Sequence, residues 1–305
     1  MKLLLLGGNG QLGRELRRSL PALGQVITAT RDGTQAQRAA DFLQPEMLGP
    51  LIRDVAPDVV VNAAAYTAVD RAETEREAAF CVNASGPEAL ARACAETGAL
   101  LLHYSTDYVF NGTASRLWRE TDPTAPLGVY GASKLAGERA IAASGARHII
   151  LRTAWVYAAH GNNFLQTMLR LARERDILRV VVDQIGTPTP AGWIADASAS
   201  LLARPNLPSG LWHLTAAGQT SWHGFAEAIV AEAQAQGLLD RCSVVEAIST
   251  ADYPTPTRRP AWSVLDTRKL QRDFGIVPQD WRAGLAATLA EMRLDCPAAS
   301  GRSRD

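Results

Sequence analysis

Four leucines, Leu3 to Leu6, open the chain with no polar residue among them. Such a run is the pattern of a strand buried on both faces of a parallel sheet, where neither side of the pleat meets water. Similar short apolar stretches recur near 25–29, 58–62, 99–104 and 148–151. Between them, apolar positions fall at helical spacing near 11–20, 45–56, 70–97 and 128–144; Leu12, Leu16 and Leu20 mark the first of these, and Pro21 ends it. Strands alternating with helices predict an α/β fold, a Rossmann-type doubly wound parallel sheet. Beyond Trp155 the rhythm changes. Helices are expected at 164–175, 196–203 and 221–236, and strands at 180–183 and 211–215, as a smaller mixed C-terminal lobe. No internal repeat is present.

The turn after the first strand reads Gly7-Gly8-Asn9-Gly10-Gln11-Leu12-Gly13. Gly7 permits a tight turn, Gly10 lets backbone approach a pyrophosphate, and Gly13 lets the next helix pack close, its N-terminal amides facing the phosphates. By itself the pattern also fits an ordinary strand–turn–helix; its place straight after a buried strand favours the dinucleotide. The organisation expected is therefore a dinucleotide-binding domain at 1–155, a substrate lobe at 156–296 and a loose tail at 297–305. The boundary is approximate, since later segments can return to the main sheet. The second strand ends at Thr30-Arg31-Asp32. Thr30 stands where NAD sites usually carry an acid, and Arg31 suits a 2′-phosphate or is a solvated surface charge.

The helix expected from 128 places Tyr130 and Lys134 on one face. A free phenol titrates near ~10, and a nearby ammonium would favour the phenolate. Thr106 follows the strand Leu100–Tyr104, where its hydroxyl could hold a carbonyl oxygen against Tyr130. Glycine turn, Ser105-Thr106-Asp107 and Tyr130-x-x-x-Lys134, in that order, imply a nicotinamide cofactor and a proton donor for a carbonyl.

Among 305 residues, Lys plus Arg and Asp plus Glu both number 31, so no charge excess points to nucleic acid or an anionic membrane. The four cysteines, Cys81, Cys94, Cys242 and Cys296, show no C-x-x-C spacing, and the histidines show no metal-ligand spacing. No apolar run reaches the ~18 residues of a membrane span, and Leu3–Leu6 is too short for a signal sequence. The expectation is a cytoplasmic enzyme, monomer or homodimer, acting on a small molecule.

With these residues in place, the chain resembles the extended short-chain dehydrogenases/reductases. Within them it is similar to the dTDP-4-dehydrorhamnose reductases. The resemblance is carried by Gly10–Gly13, Val61–Asp70, His103–Phe110, Pro126–Gly131, Arg152–Tyr157, Gly161–Phe164 and Tyr253–Pro260. It implies an NADPH-dependent reduction, with NADH usable, of the C4 ketone of dTDP-4-dehydro-β-L-rhamnose. It implies Tyr130 as proton donor, Lys134 as holder of the nicotinamide ribose, and Thr106 as assistant. Gly7, Gly10, Gln11, Leu12, Thr30, Arg31, Asp41, Phe42, Ala65, Tyr66 and Thr67 would line the cofactor with Tyr130 and Lys134. Thr106, Asp107 and Trp155 would touch the sugar nucleotide. The alternative reading of Trp155 is a core aromatic. Arg259, or Arg258, would meet the diphosphate or belong to a proline-braced turn.

Three positions depart from the pattern. Thr30 replaces an acid, Trp262 stands where an Asn is usual, and Gly192 falls where a third glutamate would join Glu15 and Glu291 in holding magnesium between subunits. No metal site is expected. Two other readings stay open: an epimerase or dehydratase of the same fold, which regenerates its NAD internally, and a non-catalytic NADP-binding regulatory subunit.

Overall fold

The computed structural model describes residues 1–240 and 243–295; the tail expected at 297–305, with Cys242 and Cys296, lies outside the described residues. Its centre is a parallel sheet made from β1 (Lys2–Leu6), β2 (Gln25–Thr30), β3 (Arg38–Ala39), β4 (Val59–Asn62), β5 (Leu100–Thr106), β6 (His148–Thr153) and the later strand Gly210–His213. Across the sheet the order is Gly210–His213, β6, β5, β4, β1, β2, β3. From β1 the chain winds outward through β2 and β3, then crosses back to β4 and outward the other way. The carboxyl ends of β1 and β4 are therefore the switch point, where such sheets open a crevice.

The helices are α1 (Gln11–Ser19), α2 (Leu48–Val55), α3 (Val69–Ala72), α4 (Arg76–Phe80), α5 (Gly86–Thr97), α6 (Val129–Ala143), α7 (Phe164–Glu174), α8 (Ala191–Leu202), α9 (Trp222–Ala235), α10 (Arg268–Phe274) and α11 (Trp281–Asp295). Leu3, Leu5, Val61, Leu102 and Leu151 point to one face, under Leu16 of α1, Ile194 and Leu201 of α8 and Phe274 of α10. Leu4, Leu6, Val60, Leu101 and Ile150 point to the other, under Ile52 of α2, Leu90 of α5 and Ile141 of α6. Both faces are covered, which is why these strands read as unbroken apolar runs.

The sheet takes Gly210–His213 from beyond residue 155, and α8 and α10 cover it, so residues 191–213 and 268–274 build the dinucleotide half. The remaining lobe has its own core, in which Leu165, Leu169, Phe225, Ile229, Trp281 and Leu285 pack together. There Ile177–Val181, the strand expected at 180–183, pairs in parallel with Val244–Ile248.

The single helix expected at 70–97 is broken into three. Pro87 sits in the first turn of α5, where its ring would strike the carbonyl four residues back in an unbroken helix. The chain relieves this with a π-helical turn, Cys81–Ser85, in which the Gly86 amide reaches Cys81 O. The helix expected from 196 starts at Ala191: burial of Ala191, Ile194 and Ala195 outweighs the poor helix propensity of Gly192.

Candidate active site

The glycine turn is built for close approach. Gly7 has φ +77°, and a Cβ at residue 13 would stand 2.0 Å from Gly7 O, so α1 packs onto the turn only without one. In front of this turn lies a cavity of about 360 Å³ lined by Gly7, Asn9, Gly10, Arg31, Asp32, Asp41, Phe42, Ala63, Ala64, Ala65 and Val82, among others. The small alanines at the end of β4 leave room for a flat ligand across the sheet edge. A dinucleotide fits this surface: bare backbone at the turn for a pyrophosphate, and the N-terminus of α1 behind it.

Not every residue expected to line the cofactor faces that cavity. Thr30 is buried, and its hydroxyl donates to Thr34 O at 2.9 Å. Leu12 packs on the core. Gln11 turns towards the second lobe: its Nε2 donates to Val156 O at 3.4 Å, and its Oε1 accepts from Asn163 Nδ2 at 2.6 Å. Tyr66 donates its hydroxyl to Glu75 at 2.6 Å, and Thr67 is exposed. Asn9 and Asp32, not expected from the sequence, do line the cavity. Their signal was adjacency, one inside the glycine turn and one beside Arg31. The Asp32 carboxylate, accepting from Thr34 N, sits below its ordinary range and is therefore charged beside Arg31.

Tyr130 and Lys134 lie one turn apart on α6, whose first amide, Val129 N, is held by Glu73 Oε1 at 2.9 Å. Thr106, at the end of β5, lies near Tyr130; its hydroxyl donates to Asp107 Oδ1 at 3.0 Å and accepts from Tyr108 N at 3.2 Å. Burial pushes the Tyr130 phenol up to about 12; the neighbouring Thr106 hydroxyl lowers it and the Asp107 charge raises it. Lys134, expected to favour the phenolate, is turned towards Tyr104 and His103. It donates to Tyr104 O at 2.6 Å and meets His103 Nε2 at 3.3 Å. Lys134 is only 2 % exposed, and burial lowers it to about 8.

Past Thr106, Asp107 is buried, and burial outweighs the influence of the neighbouring Ser263 and Thr106 hydroxyls to raise it to about 6. Tyr108 stands edge-on to Tyr130, with ring centroids 5.6 Å apart. Trp155 follows β6, two residues after Thr153, which pairs with Thr106. Its φ is +48°, a strained value for a bulky residue. Its ring stacks on Trp222 at 3.5 Å and 3°, and a Cβ on Gly186 would lie 2.3 Å from it. Half-buried between lobes, it is neither a plain core aromatic nor a fully open face. Arg259 pairs with Asp70 at 3.0 Å, and its Nε is buried without a partner; Arg258 is exposed. Trp262 is spent on packing: its Nε1 donates to Arg116 O, and its carbonyl accepts from Trp118 Nε1.

Glu15, Gly192 and Glu291 line one smaller cavity of about 180 Å³. There Glu15 is already engaged by His160 Nε2 at 2.6 Å and Arg18 Nε at 3.3 Å, and Gly192 brings no carboxylate. Among the described residues no cluster of His, Cys, Asp or Glu has the makings of a metal site. No helix among them is long and apolar enough to cross a membrane.

A crevice lined with bare backbone at the switch point, beside a Thr–Tyr–Lys set, defines a nicotinamide-dependent carbonyl oxidoreductase built on the extended short-chain dehydrogenase plan. Comparison with known proteins sharpens this. The model of the RmlD substrate binding domain family matches residues 1–294. The chain is 49% identical to the dTDP-4-dehydrorhamnose reductase of Burkholderia thailandensis, covering 96% of this chain and 99% of that one. It superposes with a TM-score of 0.88 on the crystal structure of a dTDP-4-dehydrorhamnose reductase from Clostridium acetobutylicum, at 34% identity over 96% of this chain and all of that one. The dTDP-4-dehydrorhamnose reductase of Bacillus anthracis in complex with NADP matches with a TM-score of 0.87, at 32% identity over 95% and 99% of the two chains. The chain belongs to the dTDP-4-dehydrorhamnose reductase family.

Proposed function

We propose that this chain reduces the C4 ketone of dTDP-4-dehydro-β-L-rhamnose to dTDP-L-rhamnose at the expense of NADPH. The observation that carries the reading is the set of Thr106 at the end of β5 with Tyr130 and Lys134 one turn apart on α6, beside the dinucleotide crevice, in a chain of this family. Bound reduced nicotinamide supplies the hydride. The chain's own residues do the rest. A phenol held at about 12 is protonated at neutral pH, the form a reductase needs. Tyr130 gives that proton to the carbonyl oxygen as it becomes an alkoxide, and Thr106 holds the same oxygen in line. Lys134 keeps an N–H for the cofactor ribose. Asp107 Oδ2, buried and without a hydrogen bond of its own, accepts from a sugar hydroxyl. Trp155 walls the sugar, and Arg259 offers its free Nε–H to the diphosphate.

The 2′-phosphate of NADPH would meet Arg31, but Asp32 stands beside it, so the preference over NADH is modest. Supplying the purified protein with dTDP-4-keto sugars and NADPH tests the whole reading. One NADPH oxidised per sugar reduced is expected. Isomerised or dehydrated sugar without net NADPH loss would make it an epimerase or dehydratase. Tight NADP binding without turnover on any keto-sugar would make it a regulatory binder.

A further inference from the structure

Behind Lys134 lies a buried chain of side chains that the reaction as described does not use. Asn62 ends β4 and His103 sits in β5; both are fully enclosed. Asn62 Oδ1 accepts from Ala64 N at 3.1 Å, so its Nδ2 faces His103 Nδ1 at 3.0 Å. Lys134 Nζ faces the other ring nitrogen, His103 Nε2, at 3.3 Å. Burial and the neighbouring lysine hold His103 well below its usual range, so the ring is neutral and has one N–H and one acceptor.

The donors do not add up if Lys134 is charged. If Nδ1 accepts from Asn62, the ring proton is on Nε2 and points at Nζ. An ammonium has no lone pair to receive it, whereas a neutral amine has one. Reversing the Asn62 amide satisfies His103 and an ammonium together, but sets Asn62 Nδ2 against the Ala64 amide, two donors face to face. Every group is satisfied in the observed arrangement only when Lys134 is neutral.

We propose that His103 disfavours the charged form of Lys134 until the dinucleotide arrives, so that cofactor binding at alkaline pH draws a proton into the Lys134–His103 pair. In that step the Nε2 proton of His103 passes to Nζ and a proton from solvent enters at Nδ1. The Asn62 amide reverses to accept from Nδ1, and the Ala64 N–H is released in a residue that lines the cofactor cavity. Charge moves by one proton, and no bond between heavy atoms changes. His103 is thus a positioning residue that ties the lysine's charge to the shape of the cofactor loop. The inference rests on the reading of Lys134 as a contact of the cofactor ribose, whose hydroxyl oxygens supply the acceptor an ammonium lacks in the free protein.

The surroundings agree. On α6, Glu138 lies one turn beyond Lys134, but both its oxygens are taken by Arg152 of β6, at 2.8 and 2.6 Å. Tyr130, one turn before, is a neutral phenol. Asp107, past the end of β5, is bonded to Thr106. The Glu138 charge raises Lys134, but burial outweighs it and lowers Lys134 to about 8.

Calorimetry of NADPH binding in buffers of different ionisation enthalpy counts the protons. Work at pH 8–9 keeps the 2′-phosphate fully ionised, its second pKa being about 6. We expect uptake of about half a proton or more per dinucleotide near pH 9, falling towards zero near pH 6. His103→Gln gives the ammonium an amide oxygen to donate to, and should cut the uptake at pH 9 to below about a quarter of a proton while NADPH still binds. Uptake below about a tenth of a proton in the unaltered protein at pH 9 would overturn the proposal, and needs no variant to fold. Undiminished uptake in His103→Gln would overturn it as well. Lys134→Met separates the two readings. Unchanged NADPH affinity in that variant would sink the lysine–ribose contact itself; weakened affinity without wild-type proton uptake would sink only the coupling.

Discussion

At the scale of single residues the site is governed by burial more than by pairing. Tyr130 is raised to about 12 mainly by desolvation, with the Asp107 charge adding to it. Tyr130→Phe is expected to keep NADPH affinity and lose about 10²–10⁴-fold in turnover, the usual worth of a positioned acid. Steady-state rates beside a binding isotherm check this, and turnover within twofold of the unaltered protein would remove Tyr130 from the role. Asp107 shows the same physics in a carboxyl. Its folded value of about 6 lies above the ordinary 3.8, so the fold favours the neutral acid. That contribution is complete below the ordinary value and is lost as pH rises through about 6, at a cost on the order of 1–3 kcal/mol. Asp107→Asn should therefore be more stable than the unaltered chain at pH 8, show no such gain at pH 4, and bind the sugar nucleotide less well. Denaturant melts at the two pH values with KM measurements decide it; equal stability at pH 8 counts against the buried charge. At the cavity mouth, Arg31 with Asp32 beside it is worth about tenfold or less in favour of NADPH. Arg31→Ala should bring the kcat/KM values for NADPH and NADH together, and a preference that survives would mean another residue reads the phosphate.

At the scale of elements, the π-helical turn Cys81–Ser85 borders the cavity through Val82. It turns Asn83 inward, where Oδ1 accepts from Tyr66 N at 2.9 Å and Nδ2 donates to Tyr66 O at 3.0 Å and Ser133 Oγ at 3.1 Å. One carboxamide thus ties the loop after β4 to α6, the helix that carries Tyr130 and Lys134. Three bonds, one to buried Ser133 and two to half-buried Tyr66, make its loss costly, since unsatisfied buried groups cost about 1–3 kcal/mol each. Asn83→Ala is expected to lower stability by roughly 2–4 kcal/mol and to weaken NADPH binding in the folded fraction. Thermal unfolding followed by calorimetry on the folded protein checks both, and a stable variant with normal affinity would show the clamp to be dispensable.

At the scale of the whole molecule, the two halves are interleaved. Ile149 and Leu151 of β6 are covered only when Gly210–His213, α8 and α10 return to the sheet. A fragment of residues 1–155 would leave that face and one edge of β6 open, which invites aggregation. It is expected to be insoluble, or to bind hydrophobic dyes and melt without a cooperative transition. A soluble fragment with a sharp transition would show that the first half folds alone. The lobes are also stitched through Gln11, which leaves the glycine turn to bond Val156 and Asn163, so that turn and the strand after Trp155 are held together.

What the chain's order of residues determined is what depends on neighbours in sequence. Runs such as Leu3–Leu6 and Val59–Val61 have to be strands with two covered faces, because no amphipathic face is available to them. The glycine turn could be read because only glycine tolerates the Gly7–Gly13 approach. Tyr130 and Lys134 share a face because helical geometry puts residues four apart together. The tertiary structure decided everything set by contacts between distant segments. Thr30 and Gln11 turned away from the cavity because nearer partners claimed their polar groups. Trp155 met Trp222, sixty-seven positions on, because two separate elements converge on Gly186. The phenol stayed protonated, and the lysine turned to His103 and the Tyr104 carbonyl, because burial and hydrogen-bond supply belong to the assembled interior, and no spacing along the chain records them.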